Sequence, residues 1–391
     1  MVVWRRSRAR KHDPRLVGSL TDEANRLLTG GSWAEAEPVL RQVVRLLTEQ
    51  LGATDRTTLS ARIGLAWALI ELRRHEEAVA ELRVLLPLAL AAWGERHESA
   101  NGVRLHLGKA HFASGRPERA EELARVILAV YPTMDGLRLR AWRLLAEALS
   151  DLGRHREAAD EYTALLTAAS PVYGGDDKQL MWVRAARLHQ LAFLGERDLV
   201  ERESRALLTG LVDDDPLREN VSGAHAFVLN SAGHHAQAET VLRAALAHHD
   251  RTGLSLGLAR SLNGQGRHEE ALQVLTDVEA RCRQARGTGY AGLLHTLTAQ
   301  ALLGLGRPDE AEPEARQAVE AAEAAEACHG LTDHRSLEAA TVLGSVLAAQ
   351  HRRAEAREHL TRCAAAWRRR FGPHHPRTIA TDAELSAVPQ S

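Results

Sequence analysis

One short phrase recurs along this chain: a turn residue, two or three polar residues, then an alanine that opens an amphipathic run. It reads Gly31-Ser32-Trp33-Ala34-Glu35-Ala36, then Arg73-Arg74-His75-Glu76-Glu77-Ala78, then Gly115-Arg116-Pro117-Glu118-Arg119-Ala120, then Gly153-Arg154-His155-Arg156-Glu157-Ala158. After a degenerate copy at Gly195-Glu196-Arg197-Asp198-Leu199-Val200, it returns at Gly233 to Ala238, Gly266 to Ala271, Gly306 to Ala311 and His351 to Ala356. Nine copies, counting the weak one, tile the sequence. Self-similarity at such a period means that each copy is one supersecondary unit, which buries its apolar face on its neighbours. Length then grows without a larger core, so 391 residues need not mean several globular domains.

Each copy sits between two helical stripes. Trp142, Leu145, Ala146 and Leu149 precede Ala158, and Tyr162 and Leu165 follow it. Spacings of three and four place these side chains on one face of each helix. The turn glycine supplies a left-handed residue that ends the first helix. Glutamates in the next turn complement the dipole of the second. Small residues at Ala66, Gly108, Ala146, Ala226, Ala259, Ala299 and Gly344 would let paired helices approach closely. Aromatics make up only 4% of the chain, and Ala, Leu, Arg and Glu dominate, a vocabulary of helices rather than sheets.

Leu107-Gly108, Ala120, Ala124 and Pro132, with Trp142-x-x-Leu145 and Ala158-x-x-x-Tyr162, resemble the tetratricopeptide repeat family over nearly the whole chain. Alanines 36, 78 and 120 are 42 apart, longer than the roughly 34 residues of the standard unit. The extra residues recur as Leu51 to Leu59, as Trp93-Gly94-Glu95-Arg96-His97 and as Phe371 to Thr378, with a looser echo at His329 to Leu337. This phrase looks like the kinesin-light-chain subtype. There glycine closes a long second helix, and Asp55, Asp333 or a neighbouring Thr or Ser caps the next.

The resemblance implies an all-α solenoid, a right-handed superhelix of about nine helix-turn-helix units at residues 13–375, weakest near 182–210. A capping helix and tail follow at 376–391, and a disordered basic arm precedes at 1–12. The weak copy is a candidate bend. The drop in spacing to 33 between Ala238 and Ala271 should change the pitch.

By the family's geometry the first helices line the concave wall, and the subtype implies recognition of a cargo or partner peptide. Inward-facing positions are Asn25, Trp67, Lys109, Phe112, Arg140, Arg143, Glu147, Trp182, His189, Phe227, Asn230, Arg260, Asn263 and Gln300. Arginines interleaved with aromatics suit an acidic or carboxylate-bearing peptide with an apolar anchor. The asparagine ladder usual in the subtype is replaced by Gly64, His106, Leu144 and Ala186. The expected function is therefore a non-catalytic scaffold or adaptor, with a peptide-gated regulator as the alternative.

Motifs that point to chemistry have duller readings. Gly253-Leu254-Ser255-Leu256-Gly257 spells a nucleophile elbow, but the elbow needs a preceding strand, and Ala244 to His249 read as helix. Gly102 to Ala110 has one residue too many for a phosphate loop and lacks its hydroxyl. His75, His155, His235 and His268 share one turn position, so fold position explains them better than metal binding does. Cys328, His329, Asp333 and His334 lack a second pair of ligands for zinc. Asp213-Asp214-Asp215-Pro216 reads as a turn with Asp215 as helix cap. No enzyme, metal or cofactor is expected.

A net charge of −1 argues against a broad nucleic-acid face. No apolar run reaches the ~18 residues of a membrane span. The basic run Trp4 to Lys11 has no apolar core behind it, so no secretory leader is expected. Cys282, Cys328 and Cys363, odd in number and far apart, fit free thiols in a reducing cytoplasm.

Overall fold

The computed structural model describes residues 14–175, 177–212, 215–248, 252–285, 290–329 and 334–389. The expected arm at 1–12, Asp213-Asp214 and the capping role of Asp333 lie outside them, as does the side chain of Cys328. Among the described residues there are nineteen helices, from α1 (Pro14–Thr29) to α19 (Pro376–Ala387). The first eighteen alternate as first and second helices, and every copy of the repeated phrase is the turn between the two. The chain divides into two compact units. Unit 1 holds Met1–Asp151 and unit 2 holds Leu152–Ser391.

Unit 1 carries α1, α2 (Trp33–Leu51), α3 (Arg56–Glu71), α4 (His75–Trp93), α5 (Glu98–Ala113), α6 (Pro117–Val130) and α7 (Gly136–Asp151). Unit 2 runs through α8 (His155–Tyr173), α9 (Lys178–Phe193), α10 (Arg197–Gly210), α11 (Pro216–Ser231), α12 (His235–Leu246) and α13 (Thr252–Gly264). It continues with α14 (His268–Ala285), α15 (Ala291–Gly304), α16 (Pro308–His329), α17 (His334–Ala349), α18 (Arg353–Phe371) and α19. Within each unit, consecutive helices pack in sequence order, and the odd-numbered first helices also touch each other. That second set of contacts creates a row of first helices, the surface on which a ligand site is sought.

The phrase alanines Ala36, Ala78, Ala120, Ala158, Ala238, Ala271, Ala311 and Ala356 are completely buried, and so is Val200 in the degenerate copy. Two helices cross there, and only a small side chain lets them approach. At Gly108 an added Cβ would lie 2.8 Å from Leu144, and at Gly344 2.6 Å from Leu360. The turn before each second helix needs a left-handed residue. Glycine supplies it in seven copies, while Arg73 (φ 59°) and His351 (φ 61°) adopt it without that freedom.

The extra length of the repeat lies mainly in the second helix. α2, α4, α8 and α18 each span 19 residues and end on a glycine with φ of 85° to 95°. α12, where the spacing shortens, has 12 residues. Asp55, Asp177 and Asp215 cap the next first helix by accepting backbone N–H bonds. His97 and His375 do the same through Nδ1, accepting from Ser99 and Arg377. This explains the histidine that recurs in the inter-repeat phrase.

Ser255 lies inside α13, buried, and accepts a hydrogen bond from Arg281 at 3.1 Å. Gly102 to Ala110 lies inside α5. The glycine patterns that mimic an elbow and a phosphate loop are thus helix-packing positions. No helix among the described residues is long and apolar enough to cross a membrane.

Candidate functional site

The inward-facing candidates divide between the units. In unit 1, Trp33 at the start of α2, Trp67 on α3 and His106 on α5 form an aromatic row. Ring centroids lie 5.1 Å apart for the first pair and 6.3 Å for the second. The indole N–H of Trp67 donates to Glu71, which fixes the ring's polar edge. Helical spacing carries the row on to Lys109 and Phe112, both half-buried, and the stacking of α5 on α7 brings Arg140, Arg143 and Glu147 beside them.

The electrostatics of this row favour an incoming negative charge. Burial lowers the ammonium pKa of Lys109, and Arg140 adds repulsion that Glu147 partly offsets. Arg140 is exposed, and its Nε donates to the carbonyl of Gly136 in its own helix. Neither Lys109 nor Arg140 forms an ion pair among the described residues. Arg143 differs, because Glu147 holds it at 3.2 Å. His106 is pushed down to about 4, by burial first and then by Lys109 and Arg140, so its ring is neutral near pH 7.

In unit 2 the same row is largely consumed by internal bonds. Arg260 makes a bidentate pair with Glu338, one contact at 3.0 Å, across 78 residues. Only 6% of the Glu338 side chain is exposed. Arg377, on the expected capping helix, binds the same carboxylate at 2.9 Å. Asn230 is buried, donates to Ser261 at 3.0 Å and binds His235. Asn263 donates to the carbonyl of Leu297 and binds His268. Trp182 packs into the core beneath α9, and Phe227 meets Phe193 edge-on at 4.9 Å. Asn25 is exposed on α1, and Gln300 lines a cleft of about 370 Å³ with Arg260 and Arg377.

His189 and Phe227 do converge. With Phe193, Tyr290, Leu293 and Arg335 they line a cavity of about 230 Å³. Burial holds His189 below the usual imidazole range, a bond involving the Asn220 backbone opposes this, and Arg335 reinforces it. Sequence reasoning missed Arg335, Glu338 and Arg377. Arg335 and Glu338 lie on α17, outside the expected set, and Arg377 looked like part of a cap. The end of unit 2 also touches its beginning: Arg370 donates to the carbonyl of Leu152 at 3.3 Å, and His375 interacts with the Phe193 backbone.

Three of the four shared histidines, His155, His235 and His268, are packing elements. His155 binds Gln190 at 2.9 Å and stacks on Phe193. The rings of His235 and His268 lie where a side chain at Gly264 or Gly304 of the following hairpin would be.

Tetratricopeptide repeat models match residues 21–92, 105–173 and 229–286, which together exceed half of the chain, and further models match 336–377 and 292–317. No curated protein matches it in sequence. Among solved structures, it is similar to the nearly identical TPR-like repeats of a kinesin light chain candidate from Podosopora anserina. That match has 21% identity and a TM-score of 0.43, covering 55% of this chain and 97% of the other. A point-substituted form of those repeats matches at 19% identity and a TM-score of 0.37, covering 70% and 98%. A tetratricopeptide repeat protein from Parabacteroides merdae matches at 13% identity and a TM-score of 0.47, covering 73% and 97%.

Proposed function

Because the chain belongs to the tetratricopeptide repeat family, we propose that it is a non-catalytic scaffold that holds a segment of a partner protein along the first-helix row of unit 1. The observation that carries this reading is the half-buried row Trp33, Trp67 and His106, continued by Lys109 and Arg140, which form no ion pair among the described residues. Aromatic anchors beside such cations suit a segment with an apolar side chain and an acidic neighbour. Separate, unpaired thiols at Cys282 and Cys363 support a reducing, cytoplasmic setting.

The test is peptide selection from a displayed library against the full chain. Selected peptides should bind at least tenfold more weakly to Trp67→Ala and Arg140→Glu, with helicity unchanged. Peptides indifferent to both substitutions would sink the assignment. Arg260 is unsuitable for charge reversal, because that change would set two carboxylates against each other in a buried site.

A second reading, a ligand-gated regulator that bends at the weak fifth hairpin, is favoured by the cavity beside Arg335 and the contact between the ends of unit 2. Solution scattering with a peptide that binds unit 2 separates the two, since a gated protein changes its dimensions on binding.

A further inference from the structure

A second periodicity, in charge, recurs in several of the hairpins. On the second helix a glutamate four residues before an arginine forms an ion pair: Glu37 with Arg41 at 2.5 Å, Glu239 with Arg243 at 2.7 Å, Glu312 with Arg316 at 2.6 Å. The same glutamate receives the arginine that opens the following second helix: Arg74 on Glu37 at 3.1 Å, Arg267 on Glu239 at 2.7 Å, Arg352 on Glu312 at 2.8 Å. One carboxylate thus serves two guanidiniums, one from its own hairpin and one from the next. Each of these carboxylates titrates below the ordinary glutamate range. Glu312 is drawn to about 2 by hydrogen bonds from Gln350, Arg316 and Arg352.

The fourth and seventh hairpins lack both the glutamate and its arginine, with Ala159 and Thr163 or Leu272 and Thr276 there, whereas the second keeps the arginines without the glutamate. Position 79, 42 residues after Glu37, is a buried valine, although Arg83 and Arg116 stand 42 residues after Arg41 and Arg74. Arg116 turns instead to the exposed Glu76 at 2.6 Å. Arg83 forms no ion pair among the described residues. Both line a cleft of about 370 Å³ between α4, α5 and α6, with His111, Arg119 and Glu122. Glu122 is already engaged by Arg119 at 2.7 Å. The Nδ1 of His111 is buried and makes no hydrogen bond in the structure. Burial, followed by Arg116, Arg83 and Arg119, holds this imidazole below its ordinary pKa.

We infer that this cleft is a binding site for a small oxyanion, a phosphate or carboxylate group, which takes the place of the missing glutamate and is held by Arg83, Arg116 and His111. The first and sixth hairpins show what belongs between such a pair of arginines, namely one anion accepting from both. Replacing that anion by a valine in cis leaves Arg83 without a carboxylate beside a buried ring nitrogen that has no partner, and an anion supplied from outside satisfies both. The site is separate from the aromatic row, and its occupancy does not depend on how a partner segment binds there.

The experiment uses the full chain at constant ionic strength, titrated with inorganic phosphate or with N-acetyl-aspartate amide and read from the His111 ring resonances. Saturable binding is expected, weakened at least tenfold in Arg83→Gln and abolished in Val79→Glu, which restores the carboxylate. Glutamates at the equivalent positions are 13% to 22% exposed in their own hairpins, so the fold has a precedent for Val79→Glu. If that variant does not fold, Arg83→Gln alone decides. Tighter binding of phosphate identifies a free ion, and tighter binding of the aspartate compound identifies an acidic side chain of another protein. A response that never saturates, or one equal in wild type and Arg83→Gln, overturns the inference.

Discussion

The two units are built from the same hairpin, yet they use their first-helix rows in opposite ways. In unit 1 the row keeps Trp67 half-buried and leaves Lys109 and Arg140 without ion pairs among the described residues. In unit 2 the corresponding polar groups are turned inward on the protein itself, with Arg260 and Arg377 sharing Glu338 and with Asn230 and Asn263 tied to neighbouring hairpins. Position in the repeat decides which way a side chain faces. It does not decide whether the chain or a partner will satisfy it.

The largest test of this contrast is Glu338→Ala. It leaves Arg260, 13% exposed, without its carboxylate, and breaking a buried pair from one side costs about 3–5 kcal/mol. Hydrogen exchange should show protection lost in α11 to α17 and retained in α1 to α7. Equal losses in both units would mean that unit 2 does not depend on this carboxylate in the way proposed.

A smaller effect is expected from Gly108→Leu in unit 1. The new side chain starts 2.8 Å from Leu144, and overpacking of this kind costs about 1–3 kcal/mol. Thermal melting followed by circular dichroism checks it, and an unchanged midpoint would break the proposed close approach of α5 to its neighbours.

The smallest effect concerns Glu384 on α19, which binds Ser345 and has its carboxyl pKa raised by burial, against that hydrogen bond and Arg377. A carboxyl with a raised folded-state pKa favours the protonated form. Its contribution is therefore complete below the ordinary glutamate pKa and declines as pH rises through the raised value. Glu384→Gln stays neutral and keeps an oxygen for Ser345. The melting midpoint of the variant relative to wild type should rise between acid and neutral pH, and a flat difference would show that burial does not penalise the ion.

Much of the hairpin architecture was legible because it is local. The phrase alanines, the turn glycines, the caps at Asp55 and Asp215 and the close-packing residues Gly108 and Gly344 act within one or two helices. Three of the turn histidines, His155, His235 and His268, bond Gln190, Asn230 and Asn263, partners that the repeated phrase does not announce. The candidate site was legible only as a list of facing positions. Arg260 and Asn230 are occupied by bonds to Glu338 and Ser261, which lie in other hairpins. Val79 could have been found from the sequence, since the 42-residue period places it where Glu37 predicts a carboxylate.

The amino-acid sequence alone determined the unit, its nine-fold repetition and its order, because helix periodicity, chain turns and small-residue packing are set by neighbours a few positions apart. Only the tertiary structure decided that Glu338 meets Arg260 and Arg377, and that Arg370 reaches Leu152 across 218 residues. Such meetings depend on small rotations summed over many stacked hairpins, and no single repeat records that sum.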